Sequence, residues 1–261
     1  MHFQTSETFT LSIVSHGHGA MLHDLLDDIA AFKDAQSYEL IITLNLASEL
    51  FDLKRWPTLR IKIILNDVPN GFGANHNHAF KFCETSWFIV LNPDLRMPVD
   101  PIPILMNEIR ELINIGAVTP SVVNVSGLDE DHVRHNLTPM ALLRRYFRRR
   151  LESIDISRTA SRENGFYWLA GMFLAFPAKA YRQVNGFDER FFLYCEDYDI
   201  CVRLVLADWQ LFKVNKVRVI HAAQRDSHRS KRHLQWHLTS LAKVWTSSAY
   251  WRLLALSLCF K

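Results

Sequence analysis

The sequence predicts an α/β protein: a mostly parallel central sheet with helices on both faces, followed by a helical C-terminal tail. Three observations predict it. From residue 8 to residue 123, short and almost wholly apolar runs alternate with helix-length stretches, as they do where strands are buried on both faces. Several of these runs end in polar residues, at the edge where open parallel sheets keep their ligand sites. The 261 residues are 49% hydrophobic and 22% charged, so the chain can enclose a sizeable core and its composition is not that of a disordered protein.

Residues 8–15 (TFTLSIVS) read as a buried strand, with a helix over about 20–35 behind it. Residues 38–45 (YELIITLN) and 60–66 (RIKIILN) supply the second and third strands. A helix near 74–84 leads to a fourth strand at 87–91 (WFIVL), and a helix near 102–115 precedes a fifth at 117–123. The polar, basic stretch 124–163 reads as an insertion over one end of the sheet. Sheet structure resumes at 166–176, a helix covers 196–207, and one or two strands cover 211–221. The expected organisation is a main domain over 1–227 and an amphipathic helical tail over 228–261.

Net charge is only +3, but it is unevenly spread. After Asp199 the only acids are Asp208 and Asp226, against eleven Lys and Arg residues. A second basic block is Arg144, Arg145, Arg148, Arg149 and Arg150. Such asymmetry points to an anionic partner. Nucleic acid is excluded as the expected partner, because the arginines lie on an apolar-backed helix instead of among exposed stacking aromatics. In 141–151 (ALLRRYFRRRL), Leu142, Leu143, Tyr146, Phe147 and Leu151 form one stripe. That segment is either a charged face packed on the domain or an interfacial helix lying on anionic lipid. Leu234, Leu238, Leu241 and Trp245 repeat the stripe, flanked by Lys231, Arg232 and Lys243, while 251–260 is apolar but too short to span a bilayer. Peripheral membrane contact is therefore expected through 141–151 and 231–260. Cys83, Cys195, Cys201 and Cys259 form no CxxC pair and fit a reducing compartment. The N-terminal MHFQTSETFT has no basic-then-apolar signal pattern, so a cytoplasmic location is expected.

The stretch 186–203 (GFDERFFLYCEDYDICVR) carries most of the chemical information. It sets Asp188, Glu189, Glu196, Asp197 and Asp199 among aromatic and apolar residues. Carboxylates are costly to bury without partners, so the cluster points to a partly enclosed acidic site in which one of them serves as a base. The plain alternative is a turn and a helix start, with Glu196 and Asp197 at the positive end of the helix dipole. Three strand ends add polar groups: Ser15-His16-Gly17-His18, Asn45, and Asn92-Pro93-Asp94. Each alone also suits a turn. The glycines of 71–78 (GFGANHNH) precede a helix and would let backbone N–H groups approach a phosphate, although the pattern is neither GxGxxG nor a P-loop. His221 ends a late strand, either as a structural residue or as a metal ligand alongside Asp94. An oxygen-rich site with one imidazole suits Mn²⁺ or Mg²⁺.

In order, SIVSHG, GFGANHNHAF, LNPD, WLAGMFLAF, GFDERFFLYCEDYDICVRL and VIHAAQRDS resemble the family 2 glycosyltransferases, and within them the bacterial rhamnosyltransferase-like subgroup. The resemblance covers about residues 9–227. It implies a GT-A (Rossmann-like) fold, with a nucleotide-sugar part at about 8–123 and an acceptor and catalytic part at about 164–227. It also implies inverting transfer of a sugar from a nucleotide diphosphate. Asp197 would be the catalytic base, with Glu196 beside it. Asp94 falls on the last acid of the metal-binding motif, with Asn92 in place of the first, and His221 falls on a further ligand to Mg²⁺ or Mn²⁺. Ser15, His16 and Asn45 would hold the base and ribose, and Gly71, Gly73 and Asn77 would face the nucleotide sugar. Trp168, Gly171, Asp188 and Asp199 would lie on the acceptor side. His16-Gly17 departs from the more usual SHN or YN. The implied donor is dTDP-rhamnose, with a UDP-hexose next. The implied acceptor is a glycan or lipid-linked saccharide at the inner face of the cell membrane, in O-antigen, lipopolysaccharide or capsule synthesis. A non-catalytic nucleotide-sugar or glycan-binding module is the alternative.

Overall fold

In the computed structural model, residues 7–49, 51–148, 166–222 and 231–259 are described. Ten strands form in chain order: β1 (Phe9–Ser15), β2 (Tyr38–Leu44), β3 (Arg60–Leu65), β4 (Trp87–Leu91), β5 (Leu95–Arg96), β6 (Ile115–Asn124), β7 (Val133–His135), β8 (Tyr167–Leu169), β9 (Phe173–Pro177) and β10 (Gln210–His221). Eight of them make one sheet in the order β3-β2-β1-β4-β9-β6-β10-β5. The pairs β1/β2, β1/β4, β2/β3 and β6/β10 are parallel, whereas β9 runs against both β4 and β6.

Every residue of β1, β4 and β9 is buried, because helices cover both faces. Alternate side chains go to alternate faces. Phe88 and Val90 of β4 join Leu174 and Phe176 of β9 in one core, while Ile89 and Leu91 join Phe173 and Ala175 in the other. The second core is closed by α1 (Gly19–Ala30), whose Leu22, Leu25, Leu26 and Ile29 recur at helical spacing. The helices α2 (Phe72–Phe80), α3 (Pro101–Ile109), α4 (Pro139–Arg148), α5 (Ala178–Gln183), α6 (Glu196–Leu206), α7 (Lys231–Thr246) and α8 (Ser248–Cys259) complete the fold.

Several boundaries differ from the sequence reading. The helix expected to reach 115 stops at Ile109, and left-handed Asn114 (φ 54°) turns the chain into β6. Pro120 lies inside β6 and cannot donate to a ladder. It is accommodated beside an irregularity where the register of β10 jumps from Val214 to Arg218. The two-residue β5 was not anticipated. It pairs antiparallel with the end of β10 and sets Leu95 opposite His221.

The insertion contributes β7, which pairs with β8 (Arg134 opposite Trp168), and then α4. Leu142 packs against the core, whereas Met140 and Leu143 are exposed. Residues 149–165, with Arg149 and Arg150 of the basic block and Leu151 of the expected stripe, lie outside the described residues. The C-terminal stripe divides. Leu241, Val244, Tyr250 and Leu253 join the core that contains α6, whereas Leu234 and Leu238 are exposed. Among the described residues, no helix is long and apolar enough to cross a membrane.

Phe176 faces Phe88 across the β4–β9 pair, and its ring lies 5.2 Å from that of Tyr181, with no solvent exposure. Phe176→Ala should lower unfolding free energy by about 3–5 kcal/mol. The loss should appear as a shifted denaturant midpoint with an unchanged slope.

Candidate functional site

The first turn of α6 carries Glu196 and Asp197 side by side. Glu196 is buried (5% exposed), and its Oε2 has no hydrogen-bond partner among the described residues. Asp197 accepts from the Gly171 N–H at 3.0 Å and from the Tyr198 N–H at 2.9 Å. Burial, and then the charge of Asp197, push the Glu196 carboxyl well above the ordinary carboxylate range. Burial also raises Asp197, but Arg134 and the two N–H donors oppose it. Both carboxyls are therefore raised overall, Glu196 the more strongly, because the N–H donors and Arg134 offset part of the burial of Asp197.

Gly171 and Met172 tie this pair to the end of β4. The Gly171 N–H holds Asp197, while the Met172 carbonyl accepts from the Asn92 N–H at 2.9 Å. The Asn92-Pro93-Asp94 turn follows directly. Pairing of β5 with β10 brings Asp94 to His221, Oδ2 to Nε2 at 3.1 Å, and the Ala222 N–H closes onto the Asp94 carbonyl at 2.9 Å. Both side chains are mostly buried, and Asp94 Oδ1 and His221 Nδ1 have no partner among the described residues. Burial pulls the His221 imidazole down, but the hydrogen bond and charge of Asp94, with Glu130 behind them, raise it overall.

At the end of β1, buried Ser15 donates to Glu49 and accepts from the His18 N–H at 3.2 Å. The Gly17 N–H also reaches Glu49, at 3.3 Å. His16 is exposed, and its N–H donates to His18 Nδ1 at 2.9 Å. Burial lowers His18, against the charges of Asp94 and Glu49. His18, read from the sequence only as part of its strand-end motif, stands here with Glu49 and Arg134, which sequence reasoning missed. Arg134 comes from the insertion and lies over Trp168 at 5.0 Å. A second His after Ser15 was a visible signal for His18; nothing local marks the other two.

Several expected ligand-binding residues have other tasks. Asn45 accepts from Asn66 Nδ2 at 2.8 Å and from the Asn70 N–H at 2.9 Å, and donates to the Asn70 carbonyl at 2.9 Å. It pins the loop before α2. The Asn77 amide is fully used inside the protein: it donates to the Phe187 carbonyl (2.8 Å) and Glu189 (2.9 Å), and accepts from Tyr181 (2.7 Å) and the Phe187 N–H (2.9 Å). Asn77 thus staples α2 to the acidic loop. The glycines serve the same contact. A Cβ on Gly71 would stand 2.8 Å from the Phe192 carbonyl, and one on Gly73 would stand 2.6 Å from Phe187 Cβ. Their bareness lets the acidic loop approach the helix.

The residues expected on the acceptor side also have partners within the protein. Asp199 is buried in an ion pair with Arg203 at 2.7 Å. Burial pushes Asp188 up, but its hydrogen bonds with Arg190 outweigh that and hold it low. Trp168 is buried with its indole N–H on the His135 carbonyl at 2.9 Å. Gly171 keeps a place in the site, through its hold on Asp197.

Comparison with known proteins fits this geometry. Residues 7–239 match the family described as "Glycosyltransferase like family 2". The chain is 29% identical over 242 residues to rhamnosyltransferase WbbL of Escherichia coli, covering 87% of this chain and 89% of that protein. It is 30% identical over 142 residues to an N-acetylglucosaminyl-diphospho-decaprenol L-rhamnosyltransferase of Mycobacterium tuberculosis, covering 52% of this chain and 46% of that one. Among solved structures, a mannosyltransferase from Pyrobaculum calidifontis in complex with GDP-Man and Mn²⁺ superposes with a TM-score of 0.64 at 14% identity, over 94% of this chain and 66% of that one. TarS of S. aureus in complex with UDP-GlcNAc gives 0.64 at 12% identity, over 92% and 67%. Identities this low speak to the fold alone, and the fold is the expected GT-A α/β arrangement.

The buried Glu196 has a consequence for stability. Its folded pKa is raised, so the native state binds more protons than the unfolded chain once pH passes the ordinary carboxylate value. The stability Glu196 contributes is full at low pH and is lost as pH rises through its folded pKa. Glu196→Gln should therefore melt with the wild type near pH 4 and above it near pH 7–8, by about 2–4 °C per kcal/mol relieved. Thermal melts across pH read this directly; a gap that widens toward low pH would contradict it.

Proposed function

The chain belongs to the glycosyltransferase-like family 2, and from that membership and the site geometry we propose that it transfers rhamnose from dTDP-rhamnose, with inversion, to a lipid-linked saccharide during assembly of a bacterial surface polysaccharide. One observation carries the mechanism: a single dipeptide, Gly171-Met172, holds Asp197 on one side and the Asn92–Asp94 turn on the other. The rhamnose and lipid-linked parts are supported by the two rhamnosyltransferase relatives, one of them named for a diphospho-decaprenol substrate.

Asp197 accepts the proton of the acceptor hydroxyl as that oxygen attacks the anomeric carbon. The bond to the diphosphate breaks on the opposite face, and its electron pair leaves on the diphosphate oxygen. The Gly171 and Tyr198 N–H groups keep the Asp197 carboxylate oriented, and the charge of Arg134 favours its ionised form against the burial that raises it. Protonated Glu196 leaves the pair with one negative charge. Asp94 and His221 would hold a divalent cation, Mn²⁺ or Mg²⁺. Their unpartnered buried Oδ1 and Nδ1 suit such an ion. Among the described residues no third His, Cys, Asp or Glu joins them, so the donor diphosphate and water would complete the shell. When bound, the ion supplies charge stabilisation to the leaving diphosphate. The Asn92 side chain, with no hydrogen-bond partner among the described residues, remains available to the donor.

We also propose that the protein works on a membrane surface. Met140 and Leu143 of α4 and Leu234 and Leu238 of α7 are all exposed, with Lys231 and Arg232 at the start of α7. The Trp245 indole donates to the Leu137 carbonyl at 2.9 Å, which ties α7 to the segment leading into α4. Exposed apolar residues beside basic ones are what an anionic bilayer surface binds.

Asp197→Asn should reduce turnover by roughly 10²–10⁴-fold, while dTDP-rhamnose binding with Mn²⁺, read by thermal shift, stays close to wild type. Retained turnover would move the base elsewhere. A response to UDP-glucose, UDP-N-acetylglucosamine or GDP-mannose, but not to dTDP-rhamnose, would replace the donor. Leu234→Glu with Leu238→Glu should abolish co-sedimentation with phosphatidylglycerol-containing vesicles and leave the melting temperature unchanged. Undiminished pelleting would remove α7 from the membrane surface.

A further inference from the structure

Tyr194 (φ 72°) and Cys195 (φ 66°) adopt the left-handed region one after the other, immediately before the acid pair. For residues other than glycine this backbone is strained, and it persists only where the surroundings over-determine it. On one side of the loop α2 holds it, the Phe72 N–H donating to the Phe192 carbonyl at 2.9 Å, and on the other side α7 does so. Tyr194 Oη and His233 Nδ1 are hydrogen-bonded at 2.8 Å. Ser240 donates to the Leu193 carbonyl at 2.9 Å, and the Lys243 ammonium donates to the Arg190 carbonyl. The Trp236 ring packs on Phe192 with centroids 5.0 Å apart, and Arg232 lies over the same indole at 4.9 Å. His233, Trp236, Ser240 and Lys243 follow helical spacing and share one face of α7. That face grips four backbone or ring groups of 190–194. The family match ends at residue 239, so Ser240 and Lys243 lie beyond it.

We infer that α7 positions the acid pair, with His233 as the positioning residue and its hydrogen bond to Tyr194 as the point of control. This rests on the reading of Asp197 as the base. A released Tyr194 can relax to a commoner backbone region, and the first turn of α6, which begins one residue beyond Cys195, turns with it. The base must lie within about 2.6–3.2 Å of the proton it takes, and an error near 1 Å costs about a hundredfold in rate. His233 touches neither substrate nor reacting atoms in this scheme; it acts through Tyr194.

The test compares His233→Ala, His233→Asn, Tyr194→Phe, the double variant His233→Ala/Tyr194→Phe, and Asp197→Asn. Each is assayed for dTDP-rhamnose consumption with and without an N-acetylglucosaminyl-diphospho-lipid acceptor, and each is followed by thermal melting and by amide hydrogen exchange over 190–199. His233→Ala and Tyr194→Phe should each lower kcat by about ten- to a hundredfold, at near-constant donor KM and melting temperature, and each should raise exchange in 190–199. The double variant should be no worse than either single one. Asn offers an acceptor oxygen near the place of Nδ1, so His233→Asn should recover most of the loss. Unchanged exchange, additive losses, or a loss that tracks melting temperature would overturn the inference. Full activity in His233→Ala beside an inactive Asp197→Asn would overturn it alone, whereas an active Asp197→Asn would overturn the base assignment and the inference together.

Discussion

Two carboxyl groups buried side by side on one helical turn are the constraint to which the catalytic half of the molecule answers. Desolvation and mutual repulsion both oppose charging Glu196 and Asp197. The fold leaves the deeper carboxyl the more strongly raised and supplies donors to the other. The N-terminus of α6 contributes its dipole, and the segment before β9 contributes the Gly171 N–H. The insertion contributes Arg134, whose charge favours the Asp197 carboxylate. No single element could stabilise the pair alone, which explains why segments far apart in the chain converge on it.

The same demand explains the tight packing of α2 against 186–192. The loop must be rigid if it is to deliver the acid pair, and rigidity here comes from close approach. Gly71 and Gly73 permit that approach, and the saturated Asn77 amide locks it. Behind them, Asn45, Asn66, Asn70 and Asn75 share their amide and backbone hydrogen bonds, so the loop entering α2 is fixed to the ends of β2 and β3. Polar residues at the edge of a sheet are often taken for ligand contacts. Here many of them are the framework that leaves Asp94, His221 and Asp197 in place.

The membrane-facing and catalytic readings meet in α7. Its exposed Leu234 and Leu238 lie on the same helix whose other residues grip the loop before Glu196. A lipid-linked acceptor would then reach the protein beside the element that sets the base. Oligosaccharide assembly on a lipid carrier requires that proximity, since the carrier does not leave the bilayer.

Much of the fold could be read from the chain, because it is written in local periodicity: apolar runs of strand length, helical spacing in α1 and α6, and the order of the sheet-end motifs. Asp94, Asp197 and His221 could be singled out as candidates from the order of the motifs that carry them, although each alone also suited a turn, a helix start or a structural imidazole. Tertiary structure alone decided what each polar group is free to do. Hydrogen-bond saturation often depends on partners distant in sequence, so nothing near Asn77 or Trp168 announces that Tyr181 and the His135 carbonyl have already engaged them, whereas Arg190 and Arg203 stand two and four residues from the acids they pair with, Asp188 and Asp199. The Asp94–His221 contact likewise needed the two-residue β5, too short to leave a periodic signal. Arg134 needed the pairing of β7 with β8 across the insertion. The sequence by itself therefore determined which chemistry is present, and the tertiary structure decided which residues are free to perform it, because a polar group is defined by the partners that reach it.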